Sequence, residues 1–77
     1  MDYKNKVVKI GNSLYGLVRE SSETKLRNVN VIHFEFEWSF RPYEMHFNGT
    51  MSITVYDLKT IAVSSKEEVI NLIKNAL

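Results

Sequence analysis

The sequence predicts an α+β fold, mainly β: an antiparallel β-meander of five or six short strands, curved or partly rolled, packed by one C-terminal amphipathic helix. Two stretches carry that reading. From Ile32 to Phe40 large apolar residues alternate with polar ones, the period of two that marks a strand with one buried face. From Lys66 to Leu77 the apolar residues Val69, Ile70, Leu72, Ile73, Ala76 and Leu77 recur at helical spacing instead.

The elements follow in order. Lys6–Ile10 is a short β-branched run, and Gly11-Asn12-Ser13 supplies turn chemistry. Leu14–Arg19 returns as a second strand. A three-residue loop sets Ile10 opposite Leu14 and Val8 opposite Gly16. Glu20–Lys25 is polar throughout and reads as an exposed loop. Val29–Phe40 is the strongest strand. Its alternation points Ile32, Phe34, Phe36, Trp38 and Phe40 one way and Val31, His33, Glu35, Glu37 and Ser39 the other. Val29 and Val31 have the opposite parity, which a bulge near Asn30 to Ile32 would reconcile.

Arg41-Pro42 ends that strand, because proline brings no N–H to a ladder. Tyr43, Met45 and Phe47 form the next apolar stripe. Asn48-Gly49 is a strong hairpin signal, but a two-residue loop would set apolar residues against polar ones. A three-residue loop, Asn48-Gly49-Thr50, pairs Phe47 with Met51 and Met45 with Ile53, and is the predicted register. Met51, Ile53 and Val55 continue the stripe. Asp57-Leu58-Lys59 reverses the chain, and Ile61 and Val63 close the sheet. Ser65 with Glu68 fits a capping box. A helix of this length is marginal alone in water, so it must pack on the sheet.

With 77 residues the chain is one domain, residues 1–77, with strands within 5–63 and the helix at about 65–77. Its 44% hydrophobic and 12% aromatic content suffices for a packed core. Cysteine is absent, which excludes disulfides and thiolate metal sites. No apolar run approaches a membrane span, and Met1–Lys6 lacks the apolar segment of a signal peptide. A cytoplasmic location without membrane association is expected. The net charge of +1 argues against purely electrostatic binding to nucleic acid or anionic membrane.

Four features bear on function. The string Lys9-Ile10-Gly11-Asn12-Ser13-Leu14 resembles the opening of the AbrB/MazE-type swapped-hairpin DNA-binding domains. That resemblance would imply an intertwined, DNA-binding dimer. It spans only these residues. The family's proline-lysine pair has no counterpart in Tyr15-Gly16-Leu17-Val18-Arg19, and Gly-Asn-Ser is ordinary turn composition. Second, Lys4, Lys6, Lys9 and Arg19 gather on the first hairpin, with Tyr15, Tyr3 and Tyr56 as aromatics free to stack. Such a sheet suits single-stranded nucleic acid. Third, His33 and Glu37 share the polar side of one strand, and a tight turn at Arg41-Pro42 would bring His46 beside Glu37. Two histidines and a carboxylate are the ligand types of a divalent metal. Fourth, the aromatic stripe reads as core rather than as a ligand pocket.

No phosphate-cradling glycine loop and no Ser/His/Asp or cysteine nucleophile signature occurs. The expectation is a non-catalytic binding module without cofactor or small-molecule substrate. It would act as a protein-interaction, regulatory or inhibitory accessory protein, for instance of a phage or other mobile element, through a protein partner or self-association. The alternative is a single-stranded nucleic-acid-binding domain built on the basic first hairpin.

Overall fold

The computed structural model describes residues 2–77. Six strands run in chain order: β1 (Val7–Ile10), β2 (Leu14–Leu26), β3 (Val29–Arg41), β4 (His46–Asn48), β5 (Met51–Val55) and β6 (Ile61–Val63). A 3-10 turn at Leu58–Thr60 precedes β6, and helix α1 (Lys66–Ala76) ends the chain. The sheet is antiparallel in the order β4-β3-β2-β1-β6, with β5 also pairing β3. The predicted class therefore stands, although β2 and β3 are long, at 13 residues each.

The first hairpin has the predicted register, with Val8 opposite Gly16 and Ile10 opposite Leu14. The next differs. Glu20–Lys25, predicted as a loop, is strand paired to β3 as far as Leu26↔Val29. Arg27 and Asn28 form a two-residue turn with φ of 51° and 66°. Two left-handed residues match the twist of the flanking strands, and the polarity of the segment reflects solvent on both faces rather than irregular backbone. Beyond Ile32, where β5 ends, β2 and β3 stand alone as a ribbon. Residues 22–30 are all exposed, and the ribbon contributes to the long axis of a molecule measuring 44 × 19 × 18 Å.

The bulge expected near Asn30 is absent, since pairing is unbroken from Leu26↔Val29 to Glu20↔Glu35. Irregularity lies further along. Leu17 pairs Trp38, Val18 pairs Phe36 and Glu20 pairs Glu35. Glu37 on β3 and Arg19 on β2 are thus left over, one on each strand, and the two bulges cancel. Each strand nevertheless changes parity as it passes through.

The aromatic stripe is consequently divided, which corrects the expectation that all its members face one way. Phe34 and Phe36 join Val8, Leu14, Val18, Ile32 and Val55 in one cluster, their rings stacked 5.6 Å apart. Trp38 and Phe40 belong to a second cluster with Val7, Tyr15, Leu17, Val69, Leu72 and Ile73. Only the second contains helix residues, so the helix covers half of what the sequence assigned to it. Tyr3 meets Phe34 edge-to-face at 5.5 Å and helps close the first cluster. Each fully buried phenylalanine contributes roughly 1.5–3 kcal/mol, and Phe34, Phe36 and Phe40 all qualify.

Asn48-Gly49-Thr50 is not a hairpin. β4 and β5 lie end to end along the same side of β3, from Arg41↔His46 to Ile32↔Val55, with no residue inserted. They form one strand interrupted at Gly49 and Thr50, opposite the Glu37 bulge. The uninterrupted length of β3 offers a template for both pieces, and ladder pairing over that length outweighs the local turn preference. Phe47 and Met51, expected to face each other, instead pack on different faces. Phe47 lies against Phe40 at 4.6 Å, and Met51 joins the first cluster. The chain reverses before β4 through Pro42–Met45, closed by Met45 at φ 50°.

From β5 the chain crosses to the other edge, where β6 pairs β1. Val55 and Ile61 still pack into one cluster, so the sheet curls about it. Ser65 caps α1, its Oγ accepting from the Glu68 N–H at 3.1 Å. Among the described residues no helix is long and apolar enough to cross a membrane.

Candidate functional site

The helix lies on the second face of the sheet without reaching its edge. Its buried residue Val69 and the flanking Leu72 and Ile73 cover Val7, Tyr15, Leu17 and Phe40. On the side toward β4 a groove of about 470 Å³ remains, lined by Trp38, Phe47, Asn48, Gly49, Lys66, Val69, Ile70 and Ile73. Trp38 meets Phe47 at 6.1 Å. Phe47 and Ile70 are 50% and 40% exposed, high for side chains of this size flanking a packed cluster. Helical spacing explains the arrangement: Lys66, Val69, Ile70 and Ile73 share one side of α1, and Phe47 is the β4 residue on the helix face.

Gly49 opens this groove. A Cβ there would meet nothing within 4 Å, and its φ is not in the left-handed region. Neither sterics nor backbone geometry calls for glycine at this position. A glycine without a fold requirement, in the break between β4 and β5 beside an apolar groove, suits close approach of another backbone.

The groove also borders an open sheet edge. β4 and β5 pair only with β3 among the described residues. From His46 to Val55 this edge holds no Lys, Arg, Asp, Glu or Pro, the residues with which proteins blunt exposed edges. The opposite edge, β6, is 3 residues long, the same as β4, but β5 extends the β4 side by a further 5.

The basic hairpin is largely neutralised. Lys4 Nζ lies 3.1 Å from Glu20, Lys9 Nζ 3.9 Å from Glu68 and Arg19 Nε 3.9 Å from Glu37. Of the four cations, Lys6 alone has no carboxylate partner among the described residues. Tyr15 is 4% exposed, which corrects its assignment as a stacking platform. It lies under α1 and donates its hydroxyl to Glu68 Oε2 at 2.7 Å. Burial, then that hydrogen bond, then the carboxylate's charge push its pKa up to about 12. Lys9 sits over the same ring at 5.7 Å. Glu68 thus turns to Tyr15 and Lys9, and only the serine half of the capping box forms. Tyr56 remains exposed, and Tyr3 is partly buried against Phe34.

The predicted metal residues do not converge. His33 pairs Thr54 and its Nδ1 lies 3.2 Å from Thr54 Oγ1. His46 pairs Arg41, eight positions further along β3, a separation of roughly 26 Å at strand rise. Glu37 is bulged and turned to Arg19. The four-residue loop Pro42–Met45, longer than the tight turn assumed, moves His46 away from Glu37. Among the described residues no three His, Cys, Asp or Glu side chains are grouped to hold a metal ion.

The groove was missed in the sequence because the Asn-Gly pair masked the collinearity of β4 and β5. The available signal was the uncharged run from His46 to Val55. Comparison with known proteins adds no relative: no family model, curated protein or solved structure matches the chain significantly.

Proposed function

We propose that the protein is a non-catalytic, cytoplasmic protein-interaction module that takes hold of its partner through the groove between α1 and β4. The observation that carries this reading is the coincidence of an apolar groove with an unblunted sheet edge, joined at Gly49. Exposed apolar surface of this kind marks interaction sites. Aromatic residues such as Trp38 and Phe47 are the side chains that dominate binding when they line a pocket. Among the described residues the only ionisable side chain lining the groove is that of Lys66, and one amine offers no acid–base pair for catalysis.

The test is selection of binding peptides from a displayed random library, with segments as long as β4 and β5 together. Gly49→Trp fills the groove with a side chain the backbone accepts, so it serves as the counter-target. Peptides that bind the native chain and are rejected by Gly49→Trp support the reading. Failure to enrich any peptide, or enrichment indifferent to Gly49→Trp, sinks it. Trp38 is the single tryptophan of the native chain, so there its emission reports occupancy directly.

A further inference from the structure

We infer that the occupant of the groove is an extended peptide segment carrying apolar residues at alternate positions and one carboxylate, added as a further strand to the β4 edge. This rests on the groove being the protein-docking site.

Three observations define the geometry of the occupant, and charge defines its chemistry. First, β4 is a terminal strand with no strand paired to its outer side among the described residues. An edge strand turns the N–H and C=O groups of every second residue outward, and an added strand satisfies them. Second, a strand laid there alternates its side chains between the two faces. Those on the helix side fall between Phe47 and the helix residues Ile70 and Ile73, into the groove. Those on the other side lie beside Asn48 and His46 and meet solvent. The segment is therefore apolar at every second residue and polar between, unlike a helical ligand with apolar residues three and four apart. Third, Gly49 leaves its position on the edge clear of side-chain atoms, which lets the incoming backbone lie close.

Charge decides between a foreign segment and a second copy. Among the described residues Lys66 is the one charged residue lining the groove, and it has no carboxylate within ion-pair distance there. The edge strand of a second copy, His46–Val55, contains no acidic residue to meet it. A partner with an aspartate or glutamate near the Lys66 end of the groove supplies the complement.

The experiment takes the peptides selected above and measures affinity by isothermal titration calorimetry, a readout independent of tryptophan content, with three changes. N-methylation of alternate backbone nitrogens on the peptide removes strand hydrogen bonds and leaves its side chains intact. It is expected to weaken binding at least about tenfold in one of the two alternating patterns and little in the other. Lys66→Glu is expected to weaken binding about fivefold or more, restored when the peptide's acid is exchanged for lysine. Gly49→Trp is expected to abolish binding. Peptides that show helical spacing, tolerate both methylation patterns and are still rejected by Gly49→Trp would overturn the strand inference while leaving the docking site in place. A stable dimer that buries the groove and excludes every peptide would assign the edge to a second copy and overturn it as well. Absence of any groove-dependent peptide removes both readings together.

Discussion

Arg19 and Glu37, the residues left unpaired by two opposed bulges, meet each other across the ladder with Nε and Oε2 3.9 Å apart. Both side chains are more than half exposed, and pairs of this kind contribute about 0.5 kcal/mol or less. The bulges, not the ion pair, determine which residues face which way. Arg19→Ala and Glu37→Ala are each expected to shift urea unfolding by about 0.5 kcal/mol or less. Deleting Arg19 alone is expected to preserve cooperative unfolding, because Arg19 has no cross-strand partner and its removal makes Val18 and Glu20 consecutive while each keeps its own partner and face. A large loss in the alanine variants would show that the pair itself sets the register.

Gly16 provides the space in which Phe36 lies. A Cβ at Gly16 would stand 2.6 Å from Phe36 Cδ1, and Phe36 is 1% exposed. Gly16→Ala is expected to destabilise the chain by about 1–3 kcal/mol, the range for overpacked cores. Coupling to Phe36→Leu in a double-mutant cycle should recover part of the loss. Strict additivity of the two substitutions would place the strain elsewhere.

Much of this architecture is legible in the residues. Val8, Ile10, Leu14 and Gly16 fix the first hairpin by parity alone, and Ser65 marks the helix start. The division of the aromatic stripe is not legible. Nothing in Phe36-Glu37-Trp38 distinguishes a bulged glutamate from one that simply faces solvent. Parity is a local rule, and the bulge is a cross-strand event that needs Arg19 on the neighbouring strand and the interruption at Gly49 on the other side. Asn48-Gly49 misleads for a related reason: a strong turn pair specifies a hairpin only when the flanking strands have no better template, and β3 is one. The groove inherits that difficulty, since Phe47 and Ile70 become neighbours only once β4 is placed beside β3.

Tyr15 links the sheet to the helix through a proton. Its pKa is raised from 10.0 to about 12 by burial first and by Glu68 second, so the folded state favours the neutral phenol. The stabilisation is fully present below pH 10 and is lost as pH rises from about 10 through about 12. Unfolding free energy measured against pH is expected to fall across that window in the native chain and to fall less in Tyr15→Phe. At neutral pH Tyr15→Phe is expected to cost about 1–2 kcal/mol for the lost bond to a carboxylate. Parallel pH curves for the two proteins would exclude the linkage.

The two clusters differ in what they depend on. The one around Phe34 and Phe36 contains no helix residue, whereas the one around Phe40 depends on Val69, Leu72 and Ile73. Native-state hydrogen exchange is expected to show the α1 amides opening at a lower free energy than those of Phe34 and Phe36, as a separate unit. Equal opening energies would mean that the whole molecule unfolds as one.

The ribbon formed by the ends of β2 and β3 has a practical consequence. Its tip, from Lys25 to Asn30, is exposed and belongs to neither cluster. The Arg27-Asn28 turn is therefore a natural place to splice in foreign sequence, such as an epitope, a fluorophore tag or a tether. Cargo carried there would project along the molecule's long dimension and leave the rest of the scaffold undisturbed.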